Sequence, residues 1–237
     1  KYQRYRLFET FNKPESNQIL HVLKLGLPIG LSIFFEVSIF AVIAMMLGSL
    51  GAEIVAGHQI AMNFASLIFM IPLSLGIALT IRVGHQAGTA DHSRLRLTCI
   101  SGMVVVALIA VTSSTLMLLF EGYIVLMYTN NPRVADLALI LINYAALFQL
   151  SDGLQVGANG ALRGLKDTKI PMLITMFAYW VIALPVGYSL GMTHLWGDPM
   201  GARGFWTGLL VGLTVAAIFL NLRLWSKIRP TAKQGSH

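Results

Sequence analysis

Charge is scarce in this sequence. Only 11% of its 237 residues are Asp, Glu, Lys or Arg, against about 25% in an ordinary soluble domain. Hydrophobic residues make up 56%. A soluble fold of this size cannot bury that much apolar surface and still cover itself with polar groups. Cysteine is nearly absent too. The single Cys99 sits in an apolar stretch, which excludes a disulfide framework and a thiolate metal site and leaves a small buried hydrophobe. No nucleophile–base triad, no Gly-rich phosphate loop before a helix and no Cys/His metal pattern occurs. No enzyme activity and no cofactor are expected, and any uphill work must draw on an ion gradient rather than on ATP. The formal net charge of +7 would suggest nucleic acid on a soluble chain, but the composition is that of an integral membrane protein, with no nucleic-acid partner and with lipid around it.

What the sequence has in quantity is long apolar runs. A bilayer core of about 30 Å takes about 20 apolar residues per helix. Six stretches qualify, at 25–47, 55–81, 97–120, 135–162, 170–192 and 204–222. They are too long and too uniformly apolar for the alternating strands of a barrel, so the expected fold is an all-α membrane protein with six transmembrane helices. The loops support the count independently. Fifteen of the 17 basic residues lie before the first span, in every second loop, or after the last span. The alternate loops hold only Arg133 and Arg203. Lys and Arg accumulate on the cytoplasmic side, so both ends of this segment are expected there. The expected division is a cytoplasmic linker at 1–24, a six-span lobe at 25–222 and a cytoplasmic tail at 223–237. The sequence opens on Lys1 with no secretory signal pattern, as a segment of a longer protein would. The trailing Gly235-Ser-His237 reads equally as native or as an added remnant.

Glycines recur four apart at Gly26/Gly30, Gly153/Gly157, Gly160/Gly164, Gly187/Gly191 and Gly208/Gly212, a spacing that lets helices approach closely. Pro28, Pro72 and Pro185 lie within spans, where each removes a helical hydrogen bond and can bend its helix.

Eight of the ten acids are in loops or near span ends, but Glu36 and Asp152 lie in the middle of spans one and four. A carboxylate at the centre of a transmembrane helix costs about 2.5–3.5 kcal/mol on insertion scales and defaults to a functional role. No Lys or Arg is expected inside any span, so neither acid has an evident buried cation beside it. Such an acid can stay protonated and hydrogen-bond a neighbouring helix, bind a metal cation, or face a wet cavity and bind a cationic solute. Gln149, Asp152, Gln155 and Asn159 form one helical stripe, and Gln59 and Asn63 share a face of span two. Their amides offer oxygen ligands without charge, a donor set suited to Na⁺ or a proton relay rather than to zinc. His58 is either a relay member or a satisfied packing histidine. Tyr179, Trp180 and Trp206 read as packing or interface anchors, and the 11 methionines as core, lipid-facing or adaptable drug surface.

Several segments carry a family resemblance, in order and over nearly the whole chain. Leu25-Gly-Leu-Pro-Ile-Gly30 running to Phe34-Phe-Glu36-Val resembles the seventh span of the multidrug and toxic compound extrusion (MATE) family, and Ala56-Gly-His-Gln-Ile-Ala-Met-Asn63-Phe with Ile81-Arg-Val-Gly84 resembles the eighth. Asn159-Gly-Ala-Leu-Arg-Gly164-Leu-Lys-Asp-Thr168 looks like the loop after the tenth span, Tyr179-Trp-Val-Ile-Ala-Leu-Pro185-Val-Gly187 like part of the eleventh, and Gly204-Phe-Trp206 like the opening of the last. The nearest branch is NorM-like. The resemblance implies one lobe of a two-lobe, twelve-helix antiporter in the bacterial inner membrane, coupled to Na⁺ or H⁺ and exporting lipophilic cationic drugs. The partner implied is an amino-terminal six-helix lobe. Glu36 and Asp152 match the family's cation or proton site, with Na⁺ the metal it would take. Gln59, Asn63, Phe148, Gln149, Gln155 and Asn159 are the further candidates for a substrate or cation cavity. Close relatives carry tyrosine where this chain has Phe148, so one hydroxyl ligand is missing and Na⁺ and H⁺ both stay open. Three other readings remain: half of a related flippase for a lipid-linked substrate, a non-transporting six-span membrane subunit or scaffold whose acids only lock helices together, and a self-sufficient six-span homodimer.

Overall fold

The computed structural model describes residues 15–89 and 91–229. The first fourteen residues of the expected linker and the end of the expected tail, with Gly235-Ser-His237, lie outside the described residues. The described residues form helices joined by short connections, in the order α1 (Ser16–Gly48), α2 (Ala52–Gly88), α3 (His92–Leu119), α4 (Glu121–Leu126), α5 (Pro132–Gly164), α6 (Lys169–Met176), a π-helical stretch (Phe177–Ala183), α7 (Leu184–Met192) and α8 (Ala202–Ile228). Six rods are long and apolar enough to cross a bilayer, with α6, the π-helical stretch and α7 making one of them.

Five of the six expected spans lie inside one rod, the third runs one residue past α3 to Phe120, and the rods otherwise overrun the apolar windows because helices continue past the hydrocarbon. The largest overrun is at α1, which begins at Ser16, within the segment expected as linker. Local chemistry sets the ends. Asp91 caps α3 by accepting from the Arg94 backbone N–H at 3.1 Å, and Asn131 does the same for α5 through Arg133 at 3.0 Å, with Pro132 in the first turn, where a missing N–H is harmless. The exposed Asp91 carboxyl is held below its ordinary value first by the Arg94 N–H, then by the Ser93 hydroxyl. Short α4, which no periodicity announced, turns the chain between α3 and α5.

The centre of the lobe is α5, packed on α2, α3 and α8. The α2–α5 crossing is built on small residues. A Cβ on Gly160 would strike the backbone of Gly76, and one on Gly164 would come within 2.8 Å of the Thr80 carbonyl oxygen. The Thr80 hydroxyl is shared between the Gly76 and Gly160 carbonyls at 2.9 Å each. Gly57 meets Leu137, and Gly76 meets Val156, so the two helices run parallel in a register offset of about 80 residues. The α7–α8 crossing is similar: Gly187 and Gly191 lie against Phe205, and Gly208 lies against Ala183 and Gly187. Gly153 and Gly157 admit Ala110 and Val106 of α3. Of the five expected pairs only Gly26/Gly30 packs on nothing among the described residues, where no atom lies within 4 Å of a Cβ at either position. Spacing gives a shared face but not what the face meets.

Pro28 and Pro72 lie inside α1 and α2, buried and without interrupting them. Pro185 sits just after the π-helical stretch. Its missing N–H cannot bond the carbonyl of Val181, and the wider turn before it re-spaces the chain there. Cys99 is fully buried, as its apolar surroundings imply.

Candidate functional site

Helix α1 packs on α6 far more than on α2. The Ser32 hydroxyl donates to Thr175 Oγ1 at 3.2 Å, and Trp180 Nε1 donates to the Phe35 carbonyl at 3.3 Å. Held this way, α1 diverges from α2, and a cavity of about 450 Å³ opens between α1, α2 and α5. Its walls are mostly apolar: Val37 and Phe40 from α1, Met62, Phe69 and Leu73 from α2, and Phe148 and Val156 from α5. Among its polar lining residues are Glu36, Asp152, Asn159, Thr80 and Arg163. The two mid-span acids, more than a hundred residues apart in sequence, thus line one chamber.

A buried network backs the acids. Gln155, fully buried one turn after Asp152, donates from Nε2 toward Glu36 Oε1 at 3.5 Å, the outer limit for such a bond. Its amide also engages the Tyr179 hydroxyl, which accepts from Nε2 at 2.7 Å and donates to Oε1 at 2.9 Å. Tyr179 is fully buried on the π-helical stretch. A phenol hydroxyl therefore reaches the acids' neighbourhood from a helix other than the one carrying Phe148. Phe148 itself lines the cavity and stacks on Trp206, with ring centroids 5.5 Å apart. Tyr179 fits the expected packing anchor, being fully buried in the core, and its bond to Gln155 adds a contact beside the acids. Its signal would have been a tyrosine six residues before a mid-span proline, where a helix is prone to change its winding.

The remaining candidates divide. Asn159 lines the chamber. Gln149 is buried beside it on α5, yet neither amide atom has a partner among the described residues. Gln59 and Asn63 do not line the cavity. Both are on the exposed face of α2, where Asn63 Oδ1 accepts from the Tyr128 hydroxyl at 2.9 Å. His58 is a packing histidine: it is buried, and its Nδ1 accepts from Trp206 Nε1 at 3.1 Å.

One expectation is corrected. Arg163, placed in a loop by hydropathy, is in the last turn of α5 and lines the same cavity as the acids. The apolar window stopped at position 162, but the helix runs to Gly164. Helical side chains lean toward the N-terminus, so a long side chain at this end reaches back along α5 into the cavity wall. The acids do share their chamber with a cation.

No cluster of three His, Cys, Asp or Glu able to hold a metal occurs among the described residues. Two carboxylates with neutral amide and hydroxyl oxygens suit a monovalent hard cation or a proton.

Residues 28–189 match the MatE family. This chain belongs to that family. It is 48% identical over 233 residues to the multidrug resistance protein PmpM of Pseudomonas aeruginosa, covering 98% of this chain and 49% of the relative. It is also 48% identical to the multidrug resistance protein NorM of Photobacterium profundum, covering 94% of this chain and 49% of that protein. The MATE chain therefore spans about half the length of the curated relatives it matches. Among solved structures, the eukaryotic MATE transporter AtDTX14 superposes with a TM-score of 0.83 at 20% identity, over 96% of this chain and 52% of that one. An outward-facing multidrug resistance MATE transporter superposes at 0.80 and 19% identity, over 96% and 52%. At those identities the likeness is one of fold. It agrees with the all-helical, six-span lobe described above.

Proposed function

We propose that this MATE chain is the carboxyl-terminal lobe of a Na⁺- or H⁺-coupled antiporter that exports lipophilic cationic drugs. The observation that carries the reading is one apolar-walled cavity lined by both mid-span acids. Curated relatives named as multidrug resistance proteins support it. The other half is read as an amino-terminal six-helix lobe, joined to this one through the segment ahead of α1. The alternation of basic loops supports a multi-pass inner-membrane protein with both ends of this segment in the cytoplasm.

In this mechanism a cationic drug rests against the apolar walls with its charge near Glu36 and Asp152. A proton or Na⁺ entering the chamber neutralises the same carboxylates and removes what held the drug. Gln155 and Tyr179 hold Glu36 in place while its charge changes. The ion drives the switch only to the extent that it binds one conformation better than the other. The α1–α2 divergence gives the two acids separate mountings, so occupancy can pull α1 and α5 together. A flippase for an anionic lipid-linked substrate would need a basic groove, whereas here acids outnumber the guanidinium two to one.

Glu36→Gln and Asp152→Asn, each placed in the full-length transporter, should each abolish ion-driven efflux of a cationic dye from energised vesicles. Wild-type efflux by both variants at equal expression sinks the proposal.

A further inference from the structure

Arg163 has no part in the mechanism above, yet it lines the cavity with both acids. Its backbone is not free to wander. Gly160 and Gly164, on either side of it, are pressed against the backbone of α2 at Gly76 and Thr80. The root of the side chain is thus pinned to the helix crossing that forms the cavity wall. Asp152, Asn159 and Arg163 share one stripe of α5, with the neutral amide between the two charges. The acid next along the chain does not compete for the guanidinium. Asp167 Oδ2 takes Arg223 at 2.8 Å and Lys227 at 3.6 Å. Among the described residues Arg163 forms no ion pair and no side-chain hydrogen bond of its own, and the charges that share its chamber are Glu36 and Asp152.

We propose that Arg163 is a tethered counter-cation, which competes with incoming cations for Glu36 and Asp152 and thereby sets how tightly, and how many, the cavity holds. The inference rests on the reading of this cavity as the cation site. Guanidinium stays protonated under all working conditions, so its charge is permanent. With both acids ionised the chamber carries one net negative charge, and a single monovalent cation neutralises it. Without Arg163 it carries two, and a second cation is accommodated. A resident positive charge also keeps the affinity low enough for the ion to leave, which an exchanger needs. Arg163 is a specificity-determining residue here, acting on the ligand through the field in the chamber.

The test is equilibrium binding to the purified full-length transporter, with Na⁺ as one probe and ethidium, a monovalent aromatic cation, as the other. Arg163→Gln should tighten both, on the order of tenfold, as expected for removing one like charge from a partly wet cavity. Arg163→Met, which keeps the aliphatic stem, should do the same, so that failure of one neutral variant to fold leaves the other. Arg163→Lys, which keeps the charge, should bind within about twofold of wild type, a pattern that lost packing does not produce. In a Glu36→Gln/Asp152→Asn background the tightening should vanish. Unchanged or weaker binding by the folded neutral variants overturns the inference, as does tightening that survives loss of both acids. If the acid variants abolish binding while the neutral Arg163 variants match wild type, only the role of Arg163 falls. If the acid variants themselves bind and transport like wild type, the parent reading falls with it.

Discussion

Gly208 is one of the positions where a single methyl group should do clear harm. A Cβ built there lies 2.5 Å from the Ala183 carbonyl oxygen, the Gly187 Cα and the Gly187 nitrogen. All three are backbone atoms, so no rotamer change relieves the overlap. Restoring an ordinary carbon contact of about 3.5 Å requires α7 and α8 to part by about 1 Å along that line. Overpacking of this kind destabilises by about 1–3 kcal/mol, and a clash with backbone alone belongs in the upper half of that range. Exposed Gly122 in α4 provides the control, because nothing lies within 4 Å of a Cβ there. Alanine at that site is neutral or gains up to about 1 kcal/mol of helix propensity. The assay is thermal unfolding of the full-length transporter in detergent, comparing Gly208→Ala with Gly122→Ala at equal lipid load. Gly208→Ala should unfold clearly earlier, by the equivalent of about 2 kcal/mol. Equal unfolding of the two variants would refute the claim that backbone-to-backbone contact holds α7 on α8. The damage should spread toward the cavity as well, since Gly212 on the same face of α8 packs against Ala183 and the Ala178 carbonyl oxygen. Both belong to the π-helical stretch that carries Tyr179.

Tyr179→Phe removes a hydroxyl that both donates to and accepts from Gln155. It should lower stability by about 1 kcal/mol and reduce ion-driven dye efflux several-fold without abolishing it, because both carboxyls remain; wild-type unfolding together with wild-type efflux would remove Tyr179 from the site. Asp167→Asn takes the charge from a carboxylate that ties the α5–α6 turn to Arg223 and Lys227 of α8. Asp167 is nearly buried while both cations are partly wet, which sets the expected loss at about 1–2 kcal/mol, between the surface and buried cases, read by unfolding at low and high salt. Gln149→Met replaces a buried amide that has no partner among the described residues. It should be neutral or stabilising by up to about 1 kcal/mol, and a clear destabilisation in the same assay would show that the amide holds an ordered water or a ligand.

The parts of this lobe that were legible in the sequence are those that bulk transfer energies decide. Six apolar runs became six membrane-length rods, and two acids that hydrocarbon should not tolerate turned out to line one cavity. What stayed hidden depends on which way a helix is turned and where a side chain leans. Gln59 and Asn63 do share a face of α2, but the helix buries the neighbouring stripe of Gly57, Ala61, Ala65, Pro72 and Gly76, because those small residues allow close approach to α5 and amides do not. Arg163 was lost to a window average, which registers a charge as the end of a span and cannot register a long stem reaching back into it. The Tyr179–Gln155 bond stayed hidden because a 3.6-residue period assumes an unbroken α-helix, and Tyr179 lies on a π-helical stretch. Arg163 and the Tyr179–Gln155 pair bear on the cavity between α1, α2 and α5. That cavity sits where α1 is tied to α6 and Trp180 more than to its sequence neighbour α2, a pairing across about 140 residues that no local pattern encodes. On the proposed reading, a helix held more by a distant partner than by its neighbour is where binding a small cation changes the packing at low cost.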